Sequence, residues 1–274
     1  MSDPKTRYDR GLDVCQTLAG SEEAGLGMAQ FFKSRGAVGD IALHTGAGEI
    51  WSRTQLSRRD RSLVVISFLT ALGRELELRS HVAGGLNHGL TRDEIDEIFV
   101  QASAYVGVPF GLAAAGIASA VFAELDGTEE RTKPAAPLEL KDPEKRRADG
   151  LELLKTLLGQ PNLDTKLTEQ QILAQQGDMG ELVMDYAFGD VWMRPQLTRR
   201  DRSLVVISAL TALNLTHELE IHIGAVDDRI DPRLVDEYRD AGCTQLLIPF
   251  LRQGVKHLDA NLANIEPYLE AARS

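Results

Sequence analysis

The sequence predicts an all-α fold built from two tandem copies of one helical unit, and three observations carry that prediction. The stretch from Leu56, LSRRDRSLVVISFLTALGRELELRSHVAGG, returns from Leu197 as LTRRDRSLVVISALTALNLTHELEIHIGAV, 141 residues later and without a gap. A copy this close does not come from shared composition; it marks a duplication, so the fold is read as two versions of one unit. The apolar runs are preceded by helix caps and are longer than strands. No segment alternates in the manner of a half-buried strand.

In chain order, Tyr8 to Leu18 reads as a short amphipathic helix, echoed by Gly150 to Leu158. Residues 21–50 are glycine-rich; they are expected to hold one helix around Gly25 to Ser34 and then a loop into Trp51. The second copy enters its motif through Trp192, and both tryptophans read as anchors of the loop on the core. Ser57 with Asp60, and Thr198 with Asp201, match a capping-box pattern. A buried helix follows each, the first running to Gly73. Arg74 to His88 makes the next helix, closed by Gly89. Thr91 with Glu94 caps a helix to about Tyr105, and Pro109 suits the first turn of a last helix that ends near Leu125. Gly127 to Arg147 is charged, contains three prolines and reads as a linker that buries little. The expected organisation is 1–126 as the first unit, 127–147 as the linker and 148–274 as a second, more divergent unit.

A chain of 274 residues lets each half bury its own core. The net charge of −11 repels phosphate backbones and argues against nucleic-acid binding, while a local basic pocket still admits a small anion. The two cysteines, Cys15 and Cys243, stand at non-equivalent places. They make neither a disulfide framework nor a thiolate metal cage, which fits a reducing cytoplasm. No opening run resembles a signal peptide and no apolar stretch approaches a membrane span, so no membrane partner is expected.

The residues suited to chemistry lie on the helix after Gly73. Glu77 and His81 are four apart and share a face, with His88 seven residues further on. Histidine titrates near neutrality, and a neighbouring carboxylate that fixed its tautomer and raised its pKa would suit it to proton transfer. The same spacing also describes an ordinary surface pair. A metal site is not expected, because no further ligand accompanies Glu77, His81 and His88. Six arginines, Arg58, Arg59, Arg61, Arg199, Arg200 and Arg202, crowd two helix N-termini. Most are expected to pair with the chain's own acids, and Arg61 is the candidate to face a ligand carboxylate.

The stretch from Gly48 to Gly111, with Trp51-Ser52-Arg53, Leu56-Ser57-Arg58-Arg59-Asp60-Arg61, Glu77-Leu78-Arg79-Ser80-His81 and Gly89-Leu90-Thr91, resembles the carboxymuconolactone decarboxylase family. The second copy follows the pattern as far as His222 and then departs. A related redox branch of alkylhydroperoxidase-D-like proteins carries Cys-x-x-Cys upstream of the same histidine. Here those positions are Arg74 and Glu77, which excludes dithiol peroxidase chemistry. The resemblance implies a cofactor-free lyase acting by general acid/base catalysis on a small carboxylated lactone or enolisable acid, with 4-carboxymuconolactone as the named example. It implies Glu77 and His81 as catalytic residues, Arg61, Trp51 and His88 as substrate-binding residues, and no metal. Glu218 and His222, the second-copy equivalents, are expected to be structural, because Asp227 and Asp228 follow them where an anionic substrate would enter. The alternatives are another proton-transfer enzyme, of isomerase type, or a non-catalytic oligomeric or ligand-binding scaffold. The family's rings imply a homo-oligomer in cytoplasm, favouring three two-copy chains as a pseudo-sixfold ring.

Overall fold

The computed structural model describes residues 4–215, with side chains from residue 6 onward. Among the described residues every regular element is helical, as the capped apolar runs predict. Glu218, His222, Asp227, Asp228 and Cys243 lie outside them, as does most of the second unit's helical plan.

Helix α1 (Pro4–Ala19) is longer than the sequence suggests, and α2 (Glu22–Lys33) starts on Ser21, whose Oγ accepts from the Ala24 N–H at 3.1 Å. The expected loop before Trp51 is instead continuous helix: a turn of α-helix, α3 (Ala37–Asp40), widens into a π-helical segment, Ile41–Trp51. Of the glycines that suggested a loop, Gly25, Gly39 and Gly48 are there for contact. A Cβ on Gly48 would lie 2.2 Å from the Arg7 carbonyl oxygen, and one on Gly11 would lie 2.2 Å from that of Leu43. Backbone therefore rests on backbone where α1 crosses the π-helix, which only glycine permits. The second unit builds the same crossing between α8 (Pro143–Leu157) and the π-helical Val183–Val191. There Gly150 meets the Met184 carbonyl at 2.1 Å and Gly189 that of Arg146 at 2.3 Å.

Helices α4 (Arg58–Ala71), α5 (Glu75–Asn87), α6 (Arg92–Val106) and α7 (Val108–Asp126) follow the sequence reading within a residue or two. They enclose one core of Leu63, Ile66, Leu78, Val82, Ile95 and Phe99, with Phe122 from α7. The complete capping box is at Thr91, whose Oγ1 accepts from the Glu94 N–H while Glu94 accepts from the Thr91 N–H. Ser57 caps α4 by accepting from the Asp60 N–H at 3.1 Å, but the Asp60 carboxylate turns to an arginine instead. Helix α7 is long and apolar enough to cross a membrane, contrary to the sequence reading; its alanines raise its hydropathy, and it packs in the bundle against α5 and α6.

The 127–147 segment buries little, as expected, but ends sooner than expected. Its last five residues already belong to α8, started by Asp142, whose carboxylate accepts from the Lys145 N–H. The rest is strapped down by charge. Arg131 donates to both oxygens of Asp96, each side chain only 9% exposed, and Lys133 reaches Asp93. Helix α9 (Thr165–Gln176), which has no sequence signature, holds no fully buried residue and touches the core only through Ile172 and Leu173. It leads through α10 (Asp178–Leu182) into the second π-helical segment. Helix α11 (Arg199–Ala212) packs along α4. Asn214 (φ 56°) takes the left-handed position that Gly73 holds in the first copy.

Two equivalent ion pairs lock α4 to α11. Arg59 donates to Asp201 at 3.0 and 3.2 Å, and Arg200 donates to Asp60 at 2.8 Å. Arg59 also binds Glu94. These arginines serve the fold, as their surplus of acidic neighbours suggested.

Candidate active site

Three elements meet at Trp51. The π-helix ends on it, α5 presents His81 and His88 two turns apart, and α4 brings the arginine-rich first turn. The indole lies against both histidines, with ring centroids 5.9 Å apart in each case and interplanar angles of 30° to His81 and 45° to His88. Trp51 is therefore a wall of the site rather than a core anchor. Trp192, its counterpart, is the buried one.

His88 is held at both nitrogens. Nδ1 shares a hydrogen bond with Ser62 Oγ at 2.8 Å and Nε2 one with Thr17 Oγ1 at 3.1 Å. Burial, helped by the positive charge of Arg58 and by His81, pushes its pKa down to about 4, so the ring is neutral at physiological pH. His81 contrasts with it. Its Nδ1 is out of solvent and has no hydrogen-bond partner, and burial lowers its pKa against the opposing pull of Glu77. The sequence reading had the carboxylate raising that pKa; desolvation wins because Glu77 turns away. Arg74 donates to Glu77 at 2.5 Å, and this exposed pair holds the Glu77 carboxyl below its usual range. Glu77 and His81 share a face, as their spacing dictates, but no hydrogen bond joins them.

Arg61 donates from Nη2 to the Arg53 carbonyl at 2.8 Å, and its Nε is buried without a partner. Burial, then the charges of Arg58 and Arg53, lower its pKa. Arg58 spends one nitrogen on Asp13 at 2.9 Å and keeps Nη1 buried and unpartnered. Within a chain of net charge −11, the site is thus locally cationic. Unmet guanidinium donors beside a neutral imidazole suit a small anion whose negative charge moves during reaction. An apolar cleft of about 400 Å³ opens at the start of α5, where Leu72, Arg74, Leu78 and Phe110 line it. No group of three or more potential ligands able to hold a metal ion occurs among the described residues.

The structure thus brings together Trp51, His81 and His88 and sets Arg61 in the adjoining arginine cluster, while Glu77 stands one turn away on Arg74. Sequence reasoning missed Thr17 and Ser62, which orient His88. Neither hydroxyl carries a motif, and only the meeting of α1 and α4 at the end of α5 brings them into use.

Comparison with known proteins agrees with this layout. The sequence model of the carboxymuconolactone decarboxylase family matches residues 37–120, which include Trp51, Arg61, Glu77, His81 and His88. The chain is 36% identical over 125 residues to the 4-carboxymuconolactone decarboxylase of Acinetobacter baylyi, covering 46% of this chain and 93% of that protein. It is 33% identical over 104 residues to the nitrosuccinic acid decarboxylase npaB of Metarhizium robertsii, covering 37% of this chain and 71% of the relative.

Proposed function

The chain belongs to the carboxymuconolactone decarboxylase family, and from that membership and the site at Trp51 we propose that it is a carboxy-lyase for a small dicarboxylic acid. The acids in the two relatives' names share a chemistry. Each carries two carboxylates and a π-acceptor, a conjugated lactone carbonyl or a nitro group, into which the electrons of the breaking C–CO2 bond can move. The acceptor is the electron sink, so the reaction needs no cofactor. CO2 leaves, the electron pair delocalises onto an acceptor oxygen, and a proton returns to carbon.

The observation that carries this reading is the His81 Nδ1, enclosed against Trp51 and without a partner. A neutral imidazole presenting an N–H there stabilises the acceptor oxygen as it becomes anionic, and passes on the proton that carbon receives. Arg61, with Arg58 beside it, holds a carboxylate, while Trp51 and His88 form the wall that keeps water from the leaving group. Glu77, bound to Arg74, acts through its field on His81. The test is turnover of 4-carboxymuconolactone and of nitrosuccinate, followed by CO2 release. His81→Ala should lower kcat by about 100-fold or more, the usual cost of an oxyanion donor. Full kcat in a folded His81→Ala protein, or no turnover of either acid by the unaltered chain, would overturn the proposal.

A further inference from the structure

The residues around Trp51 recur 141 positions later, and the two sets end differently. In the later set Arg202 is wholly buried. Its Nη1 donates to Gln101 Oε1 at 2.8 Å, and its Nη2 donates to Glu97 Oε1 at 2.8 Å and to the Arg194 carbonyl at 2.6 Å. Arg194 Nε approaches both Glu97 oxygens, at 3.0 and 2.8 Å. Trp192 Nε1 donates to the Tyr105 hydroxyl at 2.9 Å. Glu97, Gln101 and Tyr105 are spaced four apart on α6, so one stripe of a first-unit helix fills this pocket of the second. Glu97 and Trp192 are each 1% exposed. Among the described residues, Arg202, Glu97 and Trp192 thus close the centre of that cradle to solvent.

The earlier set keeps the framework without the plug. Arg61, the counterpart of Arg202, makes the same bond to backbone, from Nη2 to the Arg53 carbonyl. The Nε is buried and unmet in both arginines, so the difference lies at the outer nitrogens: Glu97 reaches Arg202, and among the described residues no carboxylate reaches the Arg61 guanidinium. Trp51, the counterpart of Trp192, faces His81 and His88 where Trp192 faces a tyrosine hydroxyl. A partly buried guanidinium with no counter-charge is placed to take an anion from solution. The second unit shows what fits its outer nitrogens: a carboxylate on a saturated two-carbon arm.

We propose that Glu97 sits, in the second unit, where a ligand carboxylate sits at Arg61 in the first, so that each chain carries one open and one permanently plugged copy of the same carboxylate cradle. This rests on the reading of Arg61 as a substrate-side residue and adds which carboxylate it takes. The plug resembles the carboxylate that the product keeps, an unreactive –CH2–COO⁻ arm. Anchoring that arm at Arg61 leaves the departing carboxylate free to lie by Trp51 and His81. One working site per chain follows, although the sequence is duplicated.

Two measurements test it. Calorimetric titration of the unaltered chain with succinate should give one site per chain, lost in Arg61→Met. No binding, two sites per chain, or unchanged binding in Arg61→Met overturns the proposal. Glu97→Ala should melt at lower temperature, because Arg202 and Arg194 lose their counter-charge, and acetate should restore it saturably while acetamide does not. An acetate gain no larger than that of the unaltered chain also overturns it. If Glu97→Ala does not fold, the succinate stoichiometry decides alone. A chain that binds one succinate through Arg61 yet decarboxylates neither acid would refute the proposed activity and leave the cradle standing.

Discussion

Replacing Gly48 by alanine should weaken both the fold and the site, in amounts the contact geometry sets. The new Cβ would lie 2.2 Å from the Arg7 carbonyl oxygen and 3.0 Å from its carbon. Carbon–oxygen contact needs well over 3 Å, so α1 and the π-helix must part by about 1 Å. The obstacle is backbone and cannot rotate away. Overpacking of this kind costs about 1–3 kcal/mol, and the gain in helix propensity of about 0.5–1 kcal/mol offsets only part of it. The net cost of roughly 0.5–2 kcal/mol should lower the melting temperature by about 1–8 °C, at roughly 2–4 °C per kcal/mol for a chain of this size. Trp51 ends the same π-helix three residues on, so the displacement reaches the wall against His81 and His88. A misplacement near 1 Å can cost about 100-fold in rate. Gly27→Ala is the control: it lies in exposed α2 with nothing within 4 Å of a Cβ, and should leave stability equal or higher. Gly189→Ala, which meets the Arg146 carbonyl at 2.3 Å in the second unit, should lower the melting temperature comparably and spare kcat. Thermal melts and steady-state turnover on the three variants read these effects. A Gly48→Ala protein as stable as the unaltered chain would refute the reasoning.

The paired clamp between α4 and α11 should not be symmetrical in energy. Arg59→Met strips the buried Asp201 of its close partner and should cost about 2–3 kcal/mol, whereas exposed Arg200→Met should cost about 1; equal losses in urea melts would contradict this. Stability should fall as pH drops from about 6.5 toward 4. His88 titrates at about 4 when folded and near 6.5 when unfolded, so the unfolded chain binds the proton first. After allowance for its partial exposure the loss is about 1–2 kcal/mol, and an unchanged pH slope in His88→Asn would show that another group is responsible. If the repeated motif closes a pseudo-sixfold ring, light scattering should find three 30.0 kDa chains per particle; a monomer at micromolar concentration would rule it out.

Much of the first unit was legible because its helices announce themselves. Ser57 and Thr91 cap where their patterns say, and Gly73 and Gly89 stop where a left-handed residue is needed. The π-helix was hidden because Gly46 and Gly48 depress helix propensity, and the reason for Gly48 is the Arg7 carbonyl, about 40 residues away in sequence. Helix α9 was hidden for the opposite cause: in TKLTEQQILAQQ no residue is fully buried and only the adjacent Ile172 and Leu173 pack on a core, so burial leaves no helical period in it. At the site, helical spacing correctly put Glu77 and His81 on one face. It could not say that Arg74 would claim the carboxylate, because a rotamer choice between two neighbours is settled by exposure rather than by spacing. The positive cluster was visible as arginines in sequence, but which of them stay unmet was decided by where Asp13, Glu94 and Asp201 fall.

The reciprocal bonding of α4 and α11 has a bearing on how this protein can change. When identical subunits meet across a twofold axis, any substitution in one appears in the other, and both pockets must tolerate it. Here the facing helices belong to one polypeptide, with Asp60 and Arg200 free to vary apart from Asp201 and Arg59. Covalent joining also holds the two halves at a high effective concentration, so neither depends on the other's abundance to stay docked. One pocket can then be surrendered to internal packing while its twin keeps an exposed face. Linkage in a single reading frame turns a symmetric constraint into two independent mutational histories.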